Sequence, residues 1–532
     1  MDQYNDAVQH PQTAFSDPVL KTTKIATNGM GLPIALGGGF ALTYTAMAPG
    51  QKFAIRCFHK EANGLEARYA HVDRGLRTAG GSYFVGFEYQ PTGVLVNGKR
   101  YPIVKMDWVD GDTLGSFLED NYSDKSRLER LRQQFTDVER FLRSKGLAHG
   151  DLQNGNVLVK SELKLIDYDG IYVPTMAVGQ GAELGHKHFQ HPKRSAADFG
   201  PEMDRFSFIV IDLSLRAIEH DSSLFTKYSN GENILLTAND FIDPGNSAAF
   251  DDLTAIPSLA RDTTNFASIC SAPVESIPTL EDFLAGKNIP TAAVIIRAPA
   301  AAKKAKKEAA YIGAYDVVSA TNFTLVAKQV GNRVELVGRV TKVHTARTKY
   351  GKPYCFVFFN ESRQSVKLNI WSEGLAKLVG APSQAWVGKW LSVQGLVDPA
   401  YSGRYGTSLS ITITSSNQLR MITETEARHR LKRPTVTTGT KTTNNQSILA
   451  GLGTPTGAGG IQSVGRPYTS TSPAAPQSKN QAILTTIRQS PRPSPQPTLT
   501  PSHAPPPSKK DVPWGWIIFG AFVLFMLFRA IG

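Results

Sequence analysis

Apolar positions recur along the chain in two rhythms. Leu131, Phe135, Val138, Phe141 and Leu142 stand three or four residues apart, which predicts an amphipathic helix. Strand-like runs precede it at 36–44 around a glycine cluster, at 52–58 and at 101–109. Farther on the period is two: 333–343, 353–359, 364–371, 389–397 and 407–413 read as five strands, with a short helix near 374–379. The last apolar run, 512–528, is uncharged and 17 residues long, just enough for one membrane-crossing helix. Trp514 and Trp516 at its start suit a headgroup zone, and Lys509 and Lys510 before it suit a cytoplasmic flank.

Polar composition fills the gaps. Residues 434–510 are dominated by Thr, Ser, Pro, Gly, Asn and Gln, with no Asp or Glu and seven basic residues. Such a stretch buries too little apolar surface to offset chain entropy, so it is expected to be a disordered tether spanning about 50 Å on average. The lysine-rich 298–310 reads as a solvated linker. The expected organisation is a first folded block at 25–290, a linker at 291–314, a second block at 315–423, a tether at 424–510 and a transmembrane helix at 512–529.

The 532 residues carry 58 Lys and Arg against 45 Asp and Glu, a net charge of +13 that favours anionic partners without choosing among them. Cys57, Cys270 and Cys355 are too few and too scattered for a disulfide framework or a metal knuckle, which suits a reducing compartment. The first thirty residues lack the apolar core of a signal peptide.

The chemistry gathers behind the amphipathic helix. Residues 148–159, AHGDLQNGNVLV, set His149, Asp151 and Asn156 at fixed offsets before an apolar run, and Asp167-Tyr168-Asp169-Gly170 follows eleven residues beyond Asn156. The pair resembles the protein-kinase catalytic loop H-R-D-L-x-x-x-N and the metal-binding D-F-G turn. Residues 185–192, GHKHFQHP, resemble the end of an activation segment, and Asp204-Arg205-Phe206-Ser207 the helix that anchors the loop. The similarity covers about residues 30–290 and is nearest to bacterial kinase-like proteins with an HGDLQ loop. It implies a two-lobed α+β protein-kinase-like fold that uses ATP and Mg2+. Asp151 would then accept or orient the substrate hydroxyl, and Asn156 with Asp167 would hold magnesium. Gly37, Gly38 and Gly39 would cover the phosphates, and 106–109, with Met106 and Trp108, would face adenine.

Several positions depart from that pattern. Arg56 stands where the phosphate-pairing lysine is usual, with Glu66 or Glu61 as its expected partner, and an arginine fork does not act as an ammonium does. Gly150 replaces the arginine that reads a phosphorylated segment, Asp169 the glycine of D-F-G, Gln153 a lysine, and Leu42 the third glycine of the nucleotide loop. Three functions therefore stand: a serine/threonine kinase acting on proteins and on its own tether, a pseudokinase scaffold, and a small-molecule kinase of the aminoglycoside or choline type. His186, His188 and His191 lie close in sequence, but a zinc site needs convergent geometry that spacing alone does not supply.

In the second block, a helix between the third and fourth of five strands resembles the OB-fold, so an all-β OB-like barrel is expected there. Residues 331–421 hold twelve Lys or Arg against four Asp or Glu. Basic and aromatic residues interleave in Arg347, Lys349, Tyr350, Lys352, Tyr401, Arg404 and Tyr405. Single-strand nucleic-acid binders combine charge and stacking in this way. The competing reading makes Phe356, Phe358 and Trp371 barrel core and the charges a solvated face. The whole chain reads as an inner-membrane protein with a single C-terminal anchor and a cytoplasmic catalytic domain.

Overall fold

The structure, a computed structural model, describes residues 2–28, 31–37, 41–58, 64–181, 183–291, 311–378, 380–403 and 406–432. The chain starts in helices, not in a strand. Asp2–Val8, Pro11–Ala14 and Pro18–Lys21 bury Tyr4, Val8, Phe15 and Leu20 against the first sheet. Asp17 caps the third of these by accepting from the Val19 and Leu20 amides, and Pro18 supplies a pre-set φ at its first position. The first block thus begins ahead of residue 25.

Its sheet is antiparallel, in the order Lys24–Ile25, Ala41–Ala48, Gln51–Phe58, Lys99–Asp107, Phe87–Val96, with Ala35–Gly37 added beside Ala41–Ala48. Leu65–Ala79 lays Tyr69, Val72 and Leu76 into the core under that sheet. The following half is mainly helical. Lys125–Lys145 is capped by Asp124 and stopped by Gly146 at φ 62°, and it buries Leu128, Leu131, Phe135, Val138 and Leu142. Arg205–His220 is buried along almost its whole length. A small sheet of Asp112–Thr113, Val157–Val159 and Leu163–Leu165 sits among these helices and holds residues 147–156 from one end.

The second block corrects the expected fold class. The described residues are mixed α/β with four sheets among them, none closed, where a two-lobed kinase-like domain followed by an all-β barrel was expected. The run 333–343 does not form one strand. It divides into Arg333–Arg339, in a four-stranded sheet with Asp316–Ser319, Trp390–Leu396 and Leu419–Ile422, and Lys342–Arg347, in a five-stranded sheet. That second sheet runs Lys342–Arg347, Pro353–Phe358, Gln364–Ile370, Gly406–Ile413, Tyr401–Gly403. Two parallel pairings and three helices, Phe323–Ala327, Ser372–Leu375 and Glu424–Leu431, complete the block.

Glu424–Leu431 lies within the expected tether yet is folded: Arg430 reaches 2.8 Å from the wholly buried Glu335. No helix among the described residues is long and apolar enough to cross a membrane. The expected span 512–529 and the tether beyond residue 432 lie outside the described residues.

Candidate active site

The loop after Lys125–Lys145 is fixed by backbone donors. Both Asp204 carboxylate oxygens accept from it, one from the His149 N–H and the other from the Gly150 N–H at 2.8 Å. The His149 ring is fully buried, with Nε2 3.0 Å from the Ile166 carbonyl. A carbonyl only accepts, so Nε2 carries the proton and Nδ1 accepts from the Asp151 N–H at 3.4 Å. His149 is a brace between the loop and the strand end that leads to Asp167.

Gly150 has φ 81°, and a Cβ there would stand 2.4 Å from the Gly170 carbonyl oxygen. The arginine usual at this position therefore has no room. Gly185 is required for the same reason: at φ 72° its Cβ would meet the Gly150 oxygen at 2.5 Å and Asp151 Oδ1 at 3.1 Å.

Asp151 is held from two sides. Its Oδ1 accepts from the His186 N–H at 2.6 Å and its Oδ2 from Asn156 Nδ2 at 2.8 Å. Asn156 Nδ2 also donates to the Asp151 carbonyl at 3.0 Å, which leaves the amide oxygen facing away from Asp151. Each Asp151 oxygen retains a lone-pair direction for a further donor.

Upstream, Arg56 answers a different demand. Its Nη1 lies 2.5 Å from Asp167 Oδ1 and its Nη2 2.6 Å from Asp169 Oδ2, so one fork bridges two carboxylates. Glu66 is exposed and plays no part, and Glu61 lies outside the described residues. Tyr69 supplies the helix contact instead, its hydroxyl 2.5 Å from Asp169 Oδ1, while Arg68 Nη2 donates to the Asp169 and Ile171 carbonyls. Two departures from the kinase pattern, Arg56 and Asp169, therefore form one compensated unit. Although burial pushes it up, the Asp167 carboxyl is held below its usual value by Arg56. Asp167 sits at φ 68° with its side chain 37 % exposed against 13 % for Asp169, so Asp167 is the more open of the two to solvent.

Sequence reasoning missed Glu183. Burial, and then Asp151, Asp167 and Asp169, push its carboxyl well above the usual range. Its place four residues before the Lys187–Phe189 turn carries no motif that would mark it. The carboxylates of Asp151, Asp167 and Asp169 thus crowd around Glu183, and Arg56 offsets two of them.

The remaining expected residues scatter. Met106 is buried on the Lys99–Asp107 strand, and Trp108 is 37 % exposed with Nε1 donating to Asp110 at 2.9 Å. Gly37 ends Ala35–Gly37 opposite Leu42, while Gly38 and Gly39 lie outside the described residues. The three histidines part company: His186 Nε2 lies 3.1 Å from Glu232, His188 Nδ1 accepts from the Ala238 N–H, and His191 Nε2 donates to the Ile269 carbonyl. Among the described residues no group of three or more His, Cys, Asp or Glu is placed to hold a metal.

In the second block, Arg347 donates to the Gly351 carbonyl, Lys349 lies 5.0 Å from the Tyr350 ring centre, and Lys352 is 3.5 Å from Glu373. Tyr401 pairs with Ser408 at a sheet edge, and Arg404 and Tyr405 lie outside the described residues. Phe356 and Phe358 are not core. Cys355 and Val357, alternating with them, point inward, leaving Tyr354, Phe356 and Phe358 in a half-buried row on the other face. Trp371 joins that row, with ring centres 5.6 Å from Tyr354 and 5.7 Å from Phe356, and Lys367 lies 4.1 Å from the Phe356 ring centre. Both parities of 353–359 are apolar or aromatic, so alternation could not say which face turned inward.

No protein-family model matches the chain, and no curated protein matches it.

Proposed function

We propose that the chain is an ATP- and magnesium-dependent phosphotransferase acting on serine or threonine hydroxyls of protein, its own Ser/Thr-rich stretch included. The observation that carries this reading is the Asp151 carboxylate, pinned by the His186 N–H and the Asn156 amide while keeping acceptor capacity on both oxygens. In the reaction the substrate oxygen bonds to the γ-phosphorus as the bond to the β–γ bridging oxygen breaks. The hydroxyl proton passes to Asp151, and ADP leaves.

Asp167 and Asn156 would hold magnesium, which when bound neutralises charge on the phosphate oxygens. Arg56 keeps the Asp167 carboxylate ionised and aimed, and among the described residues its Nε has no partner, a donor still open to an anionic oxygen. Full-length protein with magnesium and radiolabelled ATP should incorporate label, and Asp151→Ala and Asp167→Ala should not. Nucleotide binding without label in the unmodified protein would identify a scaffold instead, and label only with an added small alcohol would identify a metabolite kinase.

The aromatic row supports a second activity for the other block, the binding of single-stranded nucleic acid by stacking on Tyr354, Phe356 and Phe358. Affinity for a labelled oligothymidylate should fall steeply with salt and about tenfold in Phe356→Ala. Equal binding by both proteins would remove this reading.

A further inference from the structure

Asp151 is tied to the second block through a chain of polar contacts that serves no other evident purpose. The His186 N–H that holds Asp151 belongs to a residue whose ring is itself fixed, Nδ1 accepting from the His188 N–H at 3.3 Å and Nε2 donating to Glu232 Oε2 at 3.1 Å. Glu232 then meets two residues of the second block. Tyr315 Oη donates to Oε2 at 3.4 Å, and Arg333 Nη2 stands 3.8 Å from Oε1. The Arg333 guanidinium also lies over the Tyr315 ring at 4.9 Å, and the His186 and Tyr315 rings meet edge to face at 6.0 Å.

The segment carrying Glu232 is clamped on both sides. Towards the loop, Asn154 Nδ2 donates to the Asn233 carbonyl at 3.0 Å. Towards the second block, Gly231 sits at φ 87° where a Cβ would come within 3.0 Å of the Asn417 carbonyl oxygen, and Asn239 Oδ1 accepts from the Ile312 N–H at 3.2 Å. Side-chain exposure is 5 % for His186 and 14 % for Glu232, so the contact between them is shielded from solvent. Although burial pushes it up, the Glu232 carboxyl is held below its usual value by His186 and Arg333.

We infer that His186 and Glu232 are positioning residues for Asp151, and that Arg333 and Tyr315 of the second block set their geometry, so that the transfer rate depends on the docked second block. The inference rests on the phosphotransfer reading above. Loss of Arg333 leaves Glu232 with His186 and Tyr315 alone, and displacement of the His186 amide misplaces Asp151 by fractions of an ångström, enough to cost about 10-fold or more in rate. None of these contacts from Asp151 to Arg333 involves Arg56, so nucleotide binding should not follow.

The test uses full-length protein, radiolabelled ATP and autophosphorylation, with a fluorescent ATP analogue for affinity. Arg333→Ala and Glu232→Gln should lower the transfer rate about 10-fold to 100-fold while nucleotide affinity stays within about twofold, and Arg333→Lys should recover most of the rate. Unchanged transfer in Arg333→Ala, or equal losses in rate and nucleotide affinity, would overturn the inference. Should the unmodified protein transfer nothing, the phosphotransfer reading fails first, and the linkage keeps its own readout. In 15N-histidine spectra of the full chain, with His186 assigned by its absence in His186→Gln, Arg333→Ala should shift the His186 ring signals. Signals that stay in place would overturn the linkage itself.

Discussion

The loop around Asp151 and the cluster around Arg56 lie within a few residues of each other in space and are built on opposite principles. The loop is held by backbone geometry: two N–H groups on Asp204, a buried histidine brace, and glycines at 150 and 185 where no side chain fits. The cluster is held by charge, one guanidinium between two carboxylates 111 and 113 residues away in sequence. Backbone geometry prescribes residue types at fixed offsets and can be read from sequence. Paired charges prescribe only that opposites meet, and the partner is found when the fold is known.

The comparison breaks most easily at Arg56. Arg56→Met removes the fork that bridges the partly exposed Asp167 and the more buried Asp169, and should cost about 3 kcal/mol, read from the urea midpoint, and abolish transfer. Asp204→Ala should follow at about 3 kcal/mol, because two buried backbone donors of the loop lose their acceptor. The two variants separate by salt: moderate sodium chloride should partly rescue Arg56→Met by screening the stranded carboxylates and leave Asp204→Ala unchanged. Arg56→Lys keeps the charge but cannot bridge both acids, so a loss of about 1–2 kcal/mol is expected, with thermal unfolding as the check.

The smallest effect is one of pH. The Glu183 carboxyl is raised in the folded protein, so it favours folding while protonated, and that contribution is lost as pH climbs from the unfolded value, about 4.3, through the folded one. Glu183→Gln should therefore match the unmodified protein near pH 4 and melt higher than it above neutrality. Magnesium should narrow the gap at high pH, since a cation beside Asp167 offsets the same repulsion.

Legibility followed this division elsewhere in the molecule. The stripe Leu131, Phe135, Val138, Leu142 identified the Lys125–Lys145 helix because burial on one face leaves a period in the sequence. The three helices at 2–21 are four to seven residues long, too short to show a period, although Asp17-Pro18 carried a start signal. The run 333–343 keeps its alternation while passing from one sheet to the next at Val340 and Thr341, with Gly338 the single weak mark near the change. Arg430 found Glu335 across 95 residues, again a charge pairing with no local signature. At the candidate site, Asp151, Asn156 and Asp167 were named through a family resemblance, Glu183 and Glu232 carried no motif, and Glu66 was named because the family pattern stood in for the partner that Asp169 provides.

The central claim is that Asp151 receives the proton of a hydroxyl during transfer from ATP. Its most direct measurement is the single-turnover autophosphorylation rate of the full-length protein beside Asp151→Asn, which keeps the shape of the side chain and removes its charge. The account predicts phosphate on serine or threonine in the unmodified protein, a rate at least about 100-fold lower in Asp151→Asn, and nucleotide affinity within about twofold between them. Equal rates in the two proteins, or no transfer by the unmodified one, would contradict it.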